Sequence, residues 1–273
     1  MTKCLARFFV APLILIATVA LAAQSPPTLA PTWVKRINNG GWLATPESGR
    51  CVVISQNKAI EVLAPSGEVL WKWPYAKAGR YVSPRAVSVS PDCEVLAVGG
   101  SAPYRKTWIV PRSGTLVAVE TPTTPMATAF DHLGKLVAIG TVGGTVQLHT
   151  VSGTLQWMRV FDPAAIVDDI RFAEDNTEII FTGGGGRSVG VDGQVRRAAP
   201  ESADTTRVWL RSDGFLSCVS EHGEELARIA APADYVWSKL SFSRSFDLLV
   251  VAYQEPGEVW RVESYSVPPP CAQ

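Results

Sequence analysis

The chain has 273 residues, with 25 basic and 25 acidic side chains, 22 Gly, 20 Pro, 9 Trp and only 3 His. At 47% hydrophobic and 18% charged it is no disordered tail. A formal charge of zero argues against a phosphate-binding surface spread over the whole domain, and Gly and Pro follow no G-X-Y period.

The first element in chain order is an address. Lys3 and Arg7 precede an apolar run from Phe8 to Ala23 that ends in small residues. This pattern predicts a secretory signal peptide over 1–22, cleaved after Ala22. A membrane anchor is the alternative, but the run is short for a span of about 20 residues. Cleavage removes two cations and leaves 23 basic against 25 acidic groups. The expected location is periplasmic or secreted, with no membrane span after cleavage.

Residues 23–31 read as a linker, 32–267 as a single domain and 268–273 as a tail. Four cysteines remain: Cys51, Cys93, Cys218 and Cys271. In an oxidising compartment they read as one or two disulfides, with buried free thiols as the alternative. With so few His they do not resemble a zinc site, and no metal is expected.

The rest of the chain repeats. Short apolar runs alternate with Gly, Pro, Asp and Ser, the mark of strands and turns. Two weak helical windows, Asp162 to Arg171 and Glu224 to Ala230, read as no element of their own. One template recurs six times: an apolar anchor, a turn, then an apolar strand. The anchors are Thr45, Val89, Phe130, Phe172, Leu210 and Phe242. Each copy reads as a hairpin.

A second signal interleaves: a Gly precedes a short strand at Gly67, Gly114, Gly153, Gly193 and Gly223. In two copies Trp71 and Trp157 follow four residues after the Gly. Each unit therefore reads as four strands. The sixth lacks its fourth, and an orphan strand, Thr32 to Ile37, stands at the start of the mature chain. The expected fold is all-β: a six-bladed β-propeller of four-stranded antiparallel blades, its ring closed by the N-terminal strand. Seven blades is the alternative count, and the fifth unit, with its anchor only 32 residues from the next, is the doubtful one.

Two family resemblances accompany this pattern. The stretch Val87 to Gly99, V-S-V-S-P-D-C-E-V-L-A-V-G, resembles the WD-repeat hairpin. Ala64 to Trp71 resembles the tryptophan-docking stretch of the pyrroloquinoline-quinone (PQQ) type propeller repeat. The likeness implies structural docking roles for Trp33, Trp71 and Trp157. No copy carries the Trp-Asp dipeptide, and three of the five docking copies lack Trp. The anchors place Cys51 and Cys93 in neighbouring units, which leaves Cys218 for Cys271.

Propeller geometry puts the first strand of each unit around a channel. Its starting end is expected to present Asn39, Arg85, Met126, Asp168, Asp169, Arg207 and Lys239. Such a mixed ring suits an anionic or zwitterionic ligand, or pairs internally around water. Asp168 and Asp169 invite Ca²⁺, but neighbours on a strand point to opposite faces.

Gly183 to Gly186 lacks the context of a phosphate loop. Ser202 to Trp209 lacks the central Gly of an Asp-box. His132, His149 and His222 read as surface residues, not bases, and no G-x-S-x-G motif accompanies them.

The reading is a non-enzymatic binding or scaffold module without a cofactor. It is expected to be monomeric, to recognise a protein or small molecule through a loop face, and to bind no nucleic acid. The alternative is a PQQ-like or lactonase-like enzyme using PQQ or Ca²⁺ at the channel mouth.

Overall fold

The computed structural model describes residues 26–38, 42–46, 48–78, 83–100, 105–183, 187–196, 207–212, 215–220, 224–232, 238–242, 248–255 and 259–267. The signal segment, Asn39, Trp237, Cys271 and the tail lie outside them. So do the side chains of Arg207 and Lys239.

Among the described residues, strand β1 (Trp33–Asn38) is followed by six antiparallel sheets in chain order. The first contains β2 (Leu43–Ala44), β3 (Val52–Ser55), β4 (Ala59–Leu63) and β5 (Val69–Pro74). The second has β6 (Pro84–Val89), β7 (Val95–Gly100), β8 (Lys106–Pro111) and β9 (Val117–Glu120). The third has β10 (Pro125–Phe130), β11 (Leu136–Thr141), β12 (Thr145–Thr150) and β13 (Leu155–Val160). The fourth has β14 (Ile170–Phe172), β15 (Glu178–Phe181), β16 (Arg187–Gly190) and β17 (Val195–Arg196).

The fifth sheet has three strands among the described residues: β18 (Arg207–Ser212), β19 (Phe215–Ser220) and β20 (Glu225–Ala230). The sixth has β21 (Ser238–Phe242), β22 (Leu248–Gln254) and β23 (Val259–Ser266). Its fourth strand is β1, antiparallel to β23 with Trp33 opposite Ser264. The chain is thus all-β and built of repeated antiparallel sheets, as a β-propeller is. Neither helical window forms a helix. Residues 162–169 cross as an irregular strap, and Glu225–Ala230 is β20.

The N-terminal segment does more than complete the sixth sheet. Thr28 forms a parallel bridge with Arg228 on β20. Leu29 N donates to Arg228 O at 2.8 Å, and Arg228 N donates to Pro27 O at 3.1 Å. Residues 27–29 therefore occupy the place beside β20 that a fourth strand fills elsewhere. The short fifth unit needs fewer residues of its own because the chain start supplies them.

The second strands β3, β7 and β22 are apolar over most of their length for a simple reason. Successive side chains point to opposite faces, and both faces are covered. On β3, Val53 joins the core shared with the second sheet, while Val52 and Ile54 join the core shared with the sixth. On β7, Leu96 and Val98 face the first sheet and Ala97 the third. On β22, Leu249 and Val251 meet the fifth sheet, Val250 and Ala252 the first. A further core joins the third and fourth sheets through Ala138, Leu148, Phe172 and Ile179. Each fully buried Val, Leu or Ile contributes about 1.5–3 kcal/mol.

Indoles tie neighbouring sheets together. Trp33 Nε1 donates to Pro65 O at 2.8 Å, with its ring against Gly67. Trp157 Nε1 donates to Val191 O at 2.8 Å, with its ring against Gly193. Both glycines have positive φ, and a Cβ on either would press into the indole. Trp71 reaches a different turn, where its Nε1 donates to Cys93 O at 2.9 Å. On β9 a valine does the equivalent job, Val117 packing on Gly153. Trp73, Trp108 and Trp260 lie buried in the cores between sheets.

The disulfide Cys51–Cys93 staples the first sheet to the second, its Cα atoms 6.2 Å apart. Cys218 is disulfide-bonded as well.

Candidate binding site at the ends of the inner strands

The first strands β21, β2, β6, β10 and β14 lie side by side in that order. Of these, β2, β6, β10 and β14 each lead into the hairpin turn that the repeat template marks. In four of these turns the fourth residue has positive φ: Gly49 (65°), Cys93 (66°), Gly134 (66°) and Asn176 (58°). Its amide closes the turn by donating to Pro46, Ser90, Asp131 or Ala173 O respectively. Gly and Asn adopt this conformation readily, whereas Cys does so at a cost. Cys93 is held there from two sides, by Cys51 through sulfur and by Trp71 through its carbonyl.

These turns touch one another around one end of the inner strands. Ser48 Oγ donates to Pro91 O at 2.6 Å. Gly134 sits against Pro91 and Ser90. His132 N donates to Asn176 Oδ1 at 3.0 Å, and His132 Nε2 lies 2.9 Å from Ala173 O, which it meets as a donor. The rim is thereby pinned from turn to turn.

Inside this rim is a cavity of about 270 Å³. Its apolar wall includes Leu43, Val89, Phe130, Ile170 and Phe172. Its polar groups come from separate sheets: Thr45, Ser88, Thr128, Arg171 and Ser241. The hydroxyls pair across sheet boundaries. Ser88 Oγ donates to Thr128 Oγ1 at 2.9 Å, and Thr45 and Ser241 share a short hydroxyl contact. Asp131 also lines the cavity but is almost wholly buried. Its Oδ1 accepts from Lys135 N at 2.6 Å and Leu136 N at 2.8 Å, so the carboxylate braces its own turn.

The charged residues singled out from sequence stand elsewhere. Arg85 is exposed, at a bulge between Pro84 and Ala86, and Met126 occupies the matching bulge of the third sheet. Asp168 and Asp169 are exposed just before β14. Asp168 Oδ1 accepts from Thr182 Oγ1 at 2.6 Å, and Asp169 O accepts from Thr182 N at 3.1 Å. Arg207 and Lys239 stand at the starts of β18 and β21 with side chains outside the described residues. Among the described side chains, those of Arg85, Met126, Asp168 and Asp169 do not line the cavity, which lies toward the opposite ends of the inner strands.

The signal for the cavity was present in the repeat. Ser88, Arg171 and Ser241 each precede an anchor by one residue, and Thr128 precedes Phe130 by two.

One histidine departs from expectation. His149 is buried on β12, not on the surface. Burial lowers its pKa below the usual imidazole range, only partly opposed by its contact with Gly153 O. Among the described residues no cluster of three or more His, Cys, Asp or Glu has metal-binding geometry, and no helix is long and apolar enough to cross a membrane.

No protein-family model matches the chain, and no curated protein matches it in sequence. Among solved structures it is similar to hydrazine synthase of Kuenenia stuttgartiensis, at 11% identity and a TM-score of 0.45. The match covers 87% of this chain and 59% of that one. A likeness at this level assigns neither family nor activity.

Proposed function

We propose that the chain is an exported binding propeller of six blades, related to WD- and PQQ-type repeats, with a ring closed by its own N-terminal segment. It recognises a small ligand on the axis and works as a monomer, without a cofactor or nucleic acid. Buried cores between five pairs of sheets, including the sixth with the first, support the ring. The disulfide and the apolar N-terminal run support export.

The observation that carries a binding role over catalysis is how the cavity hydroxyls are used. Ser88 meets Thr128 and Thr45 meets Ser241, so among the described residues none is set against a base in the way an activated nucleophile requires. The His132 ring is committed to Ala173 O at the rim. Arg85, Asp168 and Asp169 are proposed as a second, outer surface at the starting ends of the inner strands, while Asn39 and the side chains of Arg207 and Lys239 lie outside the described residues.

The test is a thermal-shift and NMR screen of mature protein against small polar ligands, with PQQ plus Ca²⁺ and a lactone panel as separate arms. Binding without turnover is expected. Dye-linked oxidation or lactone hydrolysis would replace this reading with the enzymatic one.

A further inference from the structure

The seam between the second and third sheets buries polar groups that its neighbour does not. Gln147 and His149 stand two apart on β12, opposite Ile139 and Val137 of β11. They therefore share the face that those two residues turn toward the second sheet. Thr107 enters from the other side, on β8, two residues before Ile109 of the same core and opposite Val119 of β9. Gln147 and His149 are each 4% exposed and Thr107 is 0% exposed. Among the described residues, Thr107 Oγ1, Gln147 Oε1 and His149 Nε2 have no hydrogen-bond partner. The core between the first and second sheets holds no such atom among the described residues, and Cys51–Cys93 closes it covalently.

His149 carries the chemistry of this seam. Its Nδ1 lies 3.3 Å from Gly153 O, and a carbonyl only accepts. Nδ1 therefore holds the ring proton, and Nε2 is a bare acceptor. A second proton would make Nε2 a charged donor, buried and without a bond. We propose that this seam is the acid-sensitive joint of the fold: protonation of His149 parts the third sheet from the second. Opening bares Ile109, Val119 and Ile139, an apolar face that is fully covered while the seam is shut.

Among the described residues, no ionisable side chain of the packed strands turns toward the imidazole. On β9, Val117 and Val119 join the seam, whereas Glu120 falls on the other face and pairs with Lys106 at 2.8 Å. Lys106 alternates in the same way with Thr107 on β8. Strands β7, β10 and β11 contain no charged residue. Beyond their ends, Glu94 is tied to Arg112 in an exposed pair, Asp131 accepts from the Lys135 and Leu136 amides, and Lys135 is exposed. On β13, Arg159 Nε donates to Gly193 O, toward the fourth sheet. A carboxylate beside the ring would favour the imidazolium, and these strands supply none. Burial acts in the same direction and holds His149 below its ordinary 6.5.

In the opened seam the ring meets water and regains that ordinary value. Above 6.5 both forms are neutral and the seam keeps its full stability. Below it the open form takes the proton first, so opening grows about tenfold per pH unit until the lowered value is reached.

The experiment uses the mature full chain, labelled with ¹⁵N, between pH 7.5 and 5.5. Imidazole ¹⁵N shifts read the tautomer and the titration of His149. Amide exchange, corrected for its intrinsic pH dependence and repeated in low urea, separates local opening from global unfolding. His149 is expected to carry its proton on Nδ1 and to titrate below 6.5. At pH 5.5 the β9 and β12 amides are expected to lose about tenfold in protection, through an opening that depends little on urea. His149→Gln cannot take the proton and is expected to keep its protection.

Three results would overturn the proposal. One is a His149 that titrates at or above 6.5. Another is exchange of β9 and β12 only by the urea-dependent global unfolding that governs β3. The third is the same loss of protection at pH 5.5 in a folded His149→Gln protein. If that variant does not fold, the wild-type titration and exchange decide between these outcomes.

Discussion

The first four sheets and the last two are built alike but completed differently. Sheets one to four each use four strands that follow one another along the chain. The fifth and sixth borrow from residues 27–38: a parallel bridge from Thr28 to β20, then β1 on β23. A row of locally completed sheets has two free ends, each exposing unpaired strand edges and an apolar face. Here the chain start covers both of the last sheets, and the sixth buries its other face on the first through Ile37, Val52 and Trp260. Twelve residues therefore do by long-range pairing what local hairpins do elsewhere. The stability of the fifth and sixth sheets should depend on a segment far away in sequence, while that of the second, third and fourth should not.

The largest expected effect comes from removing that segment. Deleting residues 27–38 takes away β1 and the β20 bridge together, and thermal unfolding followed by circular dichroism should lose its single cooperative transition. Survival of a near-native transition would show that the last two sheets stand on their own.

Next is the covalent seam. Cys51→Ser with Cys93→Ser removes the staple between the first two sheets and should cost about 2–4 kcal/mol in denaturant unfolding. This loss should appear in a chain whose N-terminal pairing remains intact.

The indoles allow a matched test. Trp33 and Trp157 use the same device, a bond to a turn carbonyl and a ring laid on a glycine, at the closing seam and at an internal one. Trp33→Ala and Trp157→Ala should each cost about 2–3 kcal/mol, below the full core value because both rings are only half-buried. A negligible cost at Trp33 alone would mean that β1 is not load-sharing in the native state.

The smallest effect is electrostatic. Glu61 is buried between Lys35 of β1 and Lys72 of β5, each 2.5 Å from a carboxylate oxygen. Burial pushes its pKa up, but the two ammonium groups outweigh that and hold it below 4.5. The contribution is complete above that ordinary value and is lost as pH falls through the lowered one. Acid titration of unfolding should show this step, and Glu61→Gln should lack it.

Much of the fold was legible because the repeat is written in turn chemistry. The six anchors fall on six hairpins, and the αL residue of the turn is visible as Gly49, Gly134 and Asn176. Cys93 breaks that rule, and its neighbouring bond to Cys51 shows what holds it there. The orphan strand was legible because the sixth unit was one strand short.

The β20 bridge was not legible. Residues 27–29 contain Pro27, carry no alternation and resemble a linker, and only their partner reveals their role. The cavity was missed for a related reason. Charge drew the eye to Arg85, Asp168 and Asp169, whereas the enclosed space is lined mainly by uncharged hydroxyls, whose pairing depends on which sheets are neighbours. His149 looked exposed on composition alone. Its strand is covered on both faces, which only the stacking of sheets discloses.

Native-state hydrogen exchange at the Leu29 and Thr32 amides tests the central claim most directly. These amides donate to Arg228 O and Ser264 O, one in each of the last two sheets. If the N-terminal segment is integral to both, the two amides should exchange only with global unfolding, at the rate of the core amides of β22. Exchange orders of magnitude faster than β22, with β22 still protected, would show a detachable arm and contradict the account.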